Sequence, residues 1–214
     1  MNAKVGTEIE RIKYFFSFIS NYDFSSFLDL GCGKGWLFDN VVSSEESKLV
    51  GIDLLKFNDR KGNYHHVVAS AVRLPFRNGV FSLVTALSVL EHIHTAERKM
   101  FYKEARRVLR GKGTFVIQLP NRHFIIESHS YLPFFGYLPS RTHSFVTRAR
   151  TEYTAVPSLK SVIHFLNEYG FKVFDVKKYE APFLPFGHFL SKIGLFYLFP
   201  MGYIIRAQPS EGGS

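Results

Sequence analysis

The sequence predicts a doubly wound α/β domain, which is a mostly parallel sheet with helices packed on both faces. Three observations support this prediction. Short apolar runs of strand length recur along the chain, segments of helical periodicity separate the later runs, and glycines follow the first run directly. Ligands of such sheets bind beyond the carboxyl ends of the strands. We therefore expect the functional site where the first strands end.

The predicted strands are apolar runs with the length of buried parallel strands, followed by two closing strands. The five runs cover residues 27–30, 49–52, 65–69, 80–87 and 114–119, and the closing strands cover 172–179 and 201–207. A chain of 214 residues is long enough for one such domain with a sizeable core.

Two helices are predicted between these strands. The first extends from about Ala96 to Arg110 and stops at Gly111. Its apolar face comprises Phe101, Ala105, Val108 and Leu109. The second helix opens at Pro157 and stops at Gly170. Its apolar residues at helical spacing are Val162, Phe165, Leu166 and Tyr169.

The first predicted strand is followed by alternate glycines in the stretch FLDLGCGKG, residues 27–35. Glycine tolerates positive φ and allows the backbone to approach a ligand closely. The spacing of Gly31, Gly33 and Gly35 matches neither a P-loop nor the G-x-G-x-x-G of a dinucleotide site. A turn that binds no ligand is the alternative interpretation of such a short pattern.

A carboxylate at the end of the second strand favours a ligand. Asp53 ends the run KLVGID and follows Asp29 by 24 positions. In doubly wound folds an acidic residue in this place accepts hydrogen bonds from a ribose. Together the two patterns indicate a ligand that has a ribose and lacks a pyrophosphate.

At this point the chain resembles the class I S-adenosylmethionine-dependent methyltransferases, in particular their ubiquinone-biosynthesis-like group. Five motifs stand in the family's order over roughly residues 25–120. They are DLGCGKG (29–35), GID (51–53), RLPF (73–76), LSVLEHI (87–93) and RVLRGKGTFVI (107–117). The resemblance implies a seven-stranded Rossmann-like sheet, S-adenosylmethionine as cofactor, S-adenosylhomocysteine as its product, and no metal.

The resemblance also implies which residues contact the cofactor. By their places in the motifs these are Asp29, Gly31, Cys32, Gly33, Gly35, Asp53, Leu54, Ser70, Ala71 and Leu87. Ser70 is a departure, because the family usually has a carboxylate there for the adenine amino group. A charge-assisted hydrogen bond is roughly twice as strong as a neutral one, so Ser70 makes the weaker contact.

A general base is needed only if the methyl acceptor carries a proton. His92, just beyond the fourth strand, is the first candidate, and His129 is the second. Glu127 and His143 are further alternatives, and each histidine also has a purely structural interpretation. Relatives with a metal carry E-x-x-E-H here, whereas Ser88 replaces the first carboxylate in this chain.

Two segments, 120–156 and 181–200, exceed the minimal fold and are dense in aromatics, proline and histidine. The resemblance places substrate-recognising insertions at these positions. They are interpreted either as a satellite core or as an apolar lid that excludes water and binds a hydrophobic acceptor. Residues 1–208 are expected to form one methyltransferase domain, and 209–214 a disordered tail.

The chain has a formal net charge of +9, and its basic residues crowd the first predicted helix. They form either a nucleic-acid or anionic-lipid surface, or a solvated helix face. Cys32 is the only cysteine and no signal peptide is evident, so a cytoplasmic protein is expected, with peripheral membrane contact as an alternative.

The function predicted from these patterns is methyl transfer to a small or lipid-like hydrophobic acceptor, at oxygen. Two alternatives stay open: an RNA methyltransferase that uses the basic surface, and a catalytically silent module that only binds the cofactor.

Overall fold

A computed structural model describes residues 12–22, 25–41, 47–60, 63–121, 156–179 and 200–210, together with Lys192 and Gly194. Within these ranges a seven-stranded sheet forms the centre of the domain. The strands are β1 (Ser26–Leu30), β2 (Lys48–Asp53), β3 (His65–Val68), β4 (Phe81–Leu87), β5 (Leu109–Pro120), β6 (Phe171–Tyr179) and β7 (Gly202–Pro209). Two helices, α1 (Arg98–Val108) and α2 (Leu159–Glu168), cross between strands.

The strand order is β3-β2-β1-β4-β5-β7-β6, and β7 alone among these strands runs antiparallel to its neighbours. The predicted doubly wound, seven-stranded fold is thus confirmed. The order reverses at β1, since the chain proceeds outward to β3 and then returns to β4 on the other side. The carboxyl ends of β1, β2 and β4 therefore meet at a topological switch point, where such folds bind ligands.

Successive residues of the central strands pack into different cores, because strand side chains alternate between faces. On one face Leu28 joins the cluster beneath α1 and α2. On the other face Phe27 joins a cluster covered by residues 12–22, through the buried side chains of Phe15 and Ile19. The domain therefore has three layers, and both sheet faces are covered.

The first predicted helix ends earlier than expected. Helix α1 stops at Val108, and Leu109 has the extended conformation, with φ −78° and ψ 137°. Leu109 pairs with Phe81 as the first residue of β5, so its burial comes from the sheet and not from a helix face. The prediction that Leu109 and Arg110 are helical and that Gly111 is the stop was wrong, because strand pairing competes successfully with helical periodicity.

The later boundaries differ less. Ser158 caps α2 by accepting a hydrogen bond from Ser161 N at 3.2 Å, so the helix opens after Pro157, and Gly170 follows its end with φ +79°. Strand β7 extends to Pro209, which pairs with Phe171. The predicted disordered tail was therefore placed too early, since Pro209 is part of the sheet. Residues 211–214 lie outside the described ranges.

One guanidinium fixes the segment before β4. Arg107 donates to both carboxylate oxygens of Glu104, to the carbonyls of Leu74 and Phe76, and to the side chain of Asn78, at 2.6–3.0 Å. Glu104 also accepts from Leu74 N at 2.6 Å. The RLPF motif is thus held by hydrogen bonds to α1, and Arg107 serves the fold.

The helices of the described residues are too short or too polar to span a membrane.

Replacing Arg107 by Met should lower the free energy of unfolding by about 2–3 kcal/mol, because charged hydrogen bonds are lost and Glu104 keeps its burial. The bond to Arg107 lowers the pKa of Glu104 below about 4.5. Its stabilisation is therefore present above that pH and is lost as the pH falls through the folded-state pKa. Urea denaturation between pH 3 and 7 measures both effects. The exposed Arg110→Met is the control, and equal losses in the two variants would contradict this role.

Candidate cofactor site

The loop after β1 is built from three glycines with positive φ. Gly31, Gly33 and Gly35 have φ values of +67°, +52° and +83°, a region that other residues rarely adopt. Their surroundings differ. A Cβ on Gly31 would collide with Val89, and one on Gly35 would collide with the ring of Tyr64, whereas nothing lies within 4 Å of a Cβ on Gly33. Gly33 alone of the three therefore faces open space.

Tyr64 supports this loop from below. Its ring stacks on Phe38 with centroids 4.3 Å apart, and it also contacts the backbone at Gly35 and Gly51. The thiol of Cys32 packs into the same space, and burial raises its pKa. The side chain of Cys32, predicted as a cofactor contact, is thus turned toward Gly51, and its thiol donates to the Gly33 carbonyl at 3.6 Å.

Asp53 connects the loop to the end of β2. One carboxylate oxygen accepts from Gly33 N and the other from Leu55 N, each at 3.0 Å. Two carboxylate oxygens offer about four lone-pair directions, so two acceptor positions are left on this half-buried group. Asp53 can therefore hold the loop and still accept hydrogen bonds from a diol.

Asp29 lies below the loop and is almost fully buried, at 3% exposure. Burial raises the pKa of its carboxyl to about 7, the nearby charge of Asp53 adds to the increase, and a hydrogen bond donated by Thr85 Oγ1 at 2.6 Å opposes it. A cation placed above this carboxyl would favour its ionised form.

The side of the site beyond β2 is apolar and open. Leu54 and Leu55 are 71% and 64% exposed, which is unusual for two adjacent leucines. Ser70 and Ala71 follow β3 nearby, since Ala69 N donates to the Asp53 carbonyl at 3.0 Å. The hydroxyl of Ser70 accepts from Val72 N at 3.4 Å and shapes this turn. The structure thus brings the predicted contacts after β1, β2 and β3 to one edge.

A second feature of this edge, absent from the sequence prediction, is a chain of polar side chains after β4. Ser88 has a left-handed φ of +52° and donates from Oγ to Gln118 Oε1 at 2.7 Å. The amide nitrogen of Gln118 in turn donates to the hydroxyl of Tyr179. Strained backbone of this kind is typical of functional sites. One signal was available, because Gln118 is a lone amide within the apolar run of β5.

A narrow apolar cavity adjoins this polar chain. It has room for about one water molecule. Its lining consists of Ile12, Tyr14, Phe15, Leu87, Gln118, Tyr179 and Ile204. Leu87, a predicted cofactor contact, thus stands between the glycine loop and this cavity. Residues 12–15 could not be assigned to the site from the sequence, since only tertiary packing brings them across β7.

The LEH turn places two neighbouring side chains on opposite sides. Glu91 is fully buried, where its charge interacts with that of Arg98, while His92 is exposed. A shared metal site is therefore not formed by this pair. No group of three or more His, Cys, Asp or Glu among the described residues is placed to hold a metal. His129, Glu127 and His143 lie outside the described residues.

The first aromatic insertion leaves the sheet at this edge after β5, and the second lies between the end of β6 and the start of β7 at the same edge. Asn121 donates from its side chain to the carbonyl of Pro200 at 2.8 Å and from its backbone to that of Met201, also at 2.8 Å. These bonds join the start of the first insertion to the end of the second. Most of residues 120–156 and 181–200 lie outside the described ranges, so the choice between lid and satellite core stays a prediction.

Residues 28–117 match the family model described as a methyltransferase domain. The chain is 27% identical over 100 residues to a probable S-adenosylmethionine-dependent methyltransferase of Mycobacterium tuberculosis, which is 44% of this chain and 35% of that protein. This chain spans less than half the length of the curated relatives it matches.

Solved structures share the whole fold. A putative S-adenosylmethionine-dependent methyltransferase from Listeria monocytogenes superposes with a TM-score of 0.67 at 18% identity, covering 99% of this chain and 100% of that one. The magnesium protoporphyrin IX methyltransferase of Synechocystis, with bound S-adenosylhomocysteine, gives 0.63 at 12% identity, covering 95% and 84%. Residues 28–117 are therefore similar in sequence to methyltransferase domains, and the fold is similar to that of solved S-adenosylmethionine-dependent methyltransferases.

Adding a methyl group at Gly35 or Gly33 should separate packing from backbone strain. Both Gly35→Ala and Gly33→Ala incur left-handed strain of about 1 kcal/mol. The Gly35 variant must also displace Tyr64 from its stack on Phe38, so its unfolding free energy should fall by about 2 kcal/mol more. Chemical denaturation of both variants without ligand measures this difference. Equal destabilisation would contradict the assignment of Gly35 to packing and Gly33 to the open side.

Proposed function

We propose that this chain is an S-adenosylmethionine-dependent methyltransferase that acts on a small or lipid-like hydrophobic acceptor, at an oxygen atom. The observation that carries the cofactor assignment is the arrangement around Gly33, whose open side lies next to the spare acceptor positions of Asp53 and the exposed Leu54. The ribose diol of the cofactor matches the carboxylate of Asp53, and its base matches the apolar surface at Leu54. Its amino-acid portion matches the glycine loop.

In this proposal each residue of the edge has a binding or orienting role. Asp53 accepts the ribose hydroxyls, Leu54 contacts the adenine, and Ser70 accepts one hydrogen bond from its amino group. Burial disfavours the ionised form of Asp29, and a cationic amino group bound above the loop would stabilise that form and be attracted by it. When bound, S-adenosylmethionine supplies a methyl group that is already activated, so the protein mainly positions the acceptor and excludes water.

The acceptor is assigned to the side of Leu87 that bears the apolar cavity. Its lining is hydrophobic except for the Gln118–Tyr179 pair, which suits an apolar molecule with one polar group. Because the cavity holds about one water molecule, residues 12–15 must shift when an acceptor enters. The aromatic insertions, which leave the sheet at this edge, are proposed to complete the enclosure.

Proton removal from an oxygen acceptor is assigned to His92, with His129 as the second candidate. His92 is exposed in the turn that follows β4, at the same edge of the sheet as the glycine loop. An assay of methyl transfer from labelled cofactor into metabolite extracts tests the function as a whole. Absence of any labelled product, with cofactor binding intact, would favour the catalytically silent module.

Removing the Asp53 carboxylate should weaken cofactor binding by about 1.5–3 kcal/mol, since two hydroxyls lose their acceptor. Asp53→Ala also frees Gly33 N, so the ribose contribution is isolated by a cycle with a cofactor analogue lacking both ribose hydroxyls. Calorimetry should show that the variant and the native protein differ much less for this analogue. Asp39→Ala on the exposed turn is the control. Unchanged affinity for the full cofactor in folded Asp53→Ala would contradict the assignment.

Replacing Tyr179 by Phe should impair the acceptor step while cofactor affinity stays the same. The variant leaves the buried Gln118 amide without its acceptor, and we expect kcat/KM to fall about tenfold. Tyr203→Phe, on the neighbouring strand β7, is the matched control. Steady-state kinetics with an acceptor found in the extract assay measures the effect. An equal loss in both variants, or a loss of cofactor affinity, would argue against an acceptor role.

A further inference from the structure

The structure distinguishes two groups among the basic residues of α1 and of the segments beside it. Arg98, Arg106 and Arg107 are anchored, since each donates from Nε: Arg98 to the Ile93 carbonyl, Arg106 to the Gly170 carbonyl and Arg107 to Glu104. The second group lies at the amino-terminal edge of the parallel strands, opposite the cofactor site. We call it the cationic edge and define it as Arg77, Lys103, Arg106, Arg110 and Lys112. Arg106 belongs to both groups. Its Nε donates to the Gly170 carbonyl, whereas its two terminal nitrogens form no hydrogen bond with the described residues and can contact a ligand.

Three separate segments supply this cationic edge. Arg77 precedes β4, and Lys103 and Arg106 lie on the last two turns of α1, which ends where β5 begins. Arg110 and Lys112 belong to a short excursion of β5, because the register passes from Phe81–Leu109 to Leu83–Thr114 and leaves residues 110–113 against one residue of β4. The excursion projects both cations beyond the sheet, and both are exposed.

No carboxylate neutralises the cationic edge within the part of the chain that the structure describes. No Asp or Glu oxygen of the described residues lies within 4.0 Å of these five side chains. Of the carboxylates on the two adjacent helices, Glu104 binds Arg107, and Glu168 interacts with Tyr169 at the border of the groove without forming an ion pair with Lys103. Five cations without counter-charges repel one another, and a polyanion relieves that repulsion.

The shape of the cationic edge favours a nucleic-acid backbone over a lipid surface. An open groove lies between α1 and the segment after α2, lined by Asn78, Gly79, Lys103, Arg106, Arg107, Leu109 and Tyr169. Lys103 stands over the Tyr169 ring at 5.8 Å, so its ammonium is held at the groove. The phosphates of a nucleic-acid backbone form a narrow ridge that can enter such a groove, whereas the flat surface of a bilayer cannot. Of the large hydrophobic side chains exposed in the described residues, only Met100 lies on α1 and none lies on the excursion of β5, so little apolar surface is available there for insertion into lipid.

We propose that the cationic edge binds the sugar-phosphate backbone of a nucleic acid. Because this edge and the cofactor edge are opposite ends of the same parallel strands, the nucleic acid is a docking partner and not the methyl acceptor. The proposal is therefore independent of the proposed function. Contacts to phosphates alone predict binding without sequence preference and with strong dependence on salt.

The test uses fluorescence anisotropy with a labelled 20-base-pair RNA duplex of arbitrary sequence and the DNA duplex of the same sequence. With about three phosphate contacts, affinity should fall roughly 40-fold between 50 and 200 mM KCl. Lys103→Gln with Lys112→Gln should lower affinity at least about fivefold and reduce the salt slope by about two. Saturating S-adenosylhomocysteine should leave duplex binding unchanged.

The matched control is Lys99→Gln with Lys160→Gln, which removes the same number of charges. Both lysines are exposed and lie at the amino-terminal ends of α1 and α2, away from the cationic edge. It should change affinity less than about twofold, since these lysines lie toward the cofactor edge. Equal losses in the two double variants would overturn the proposal, as would no duplex binding at 50 mM KCl. The proposal would also be overturned, in favour of membrane binding, if the protein sedimented with phosphatidylserine-containing vesicles and the duplex did not displace it from them.

Discussion

The site depends on the Asp53 carboxylate more than on any other single group. By accepting from Gly33 N and Leu55 N at 3.0 Å, it joins the loop after β1 to the end of β2. This bridge adds to the packing of Val89 and Tyr64 in holding the loop, which has a high cost of ordering because glycine loses more backbone freedom than other residues. Burial raises the pKa of Asp29 and the charge of Asp53 adds to this increase, so Asp53 contributes both to the loop geometry and to the electrostatics beneath the loop.

The three glycines of the loop solve two different problems. Gly31 and Gly35 leave room for Val89 and Tyr64, which are parts of the protein itself, whereas Gly33 leaves room on the open side. A glycine-rich pattern therefore does not mean that every glycine contacts the ligand. Two of the three residues serve packing, and that packing holds the third in the conformation that exposes its backbone.

The two edges of the sheet carry different chemistry. The carboxyl edge combines buried or half-buried carboxylates with apolar side chains and a single polar chain from Ser88 to Tyr179. The amino-terminal edge carries exposed cations. Because parallel strands separate these edges by the full length of the sheet, a polyanion at one end and a small molecule at the other do not compete. The net charge of +9 is thus compatible with an apolar acceptor.

Local sequence patterns alone predicted the strands, both helices and the positions of Gly33 and Asp53. Hydrophobic periodicity, a glycine after a strand and a carboxylate after a strand can each be recognised within a few residues. The end of α1 was misplaced, because Leu109 is paired by β4, far away in sequence. Only the tertiary structure decided that Arg107 is anchored by hydrogen bonds while Lys103 is exposed at a groove, and that Ile12, Gln118 and Tyr179 share a cavity. These facts depend on strand register and on packing between distant segments, which no local pattern contains.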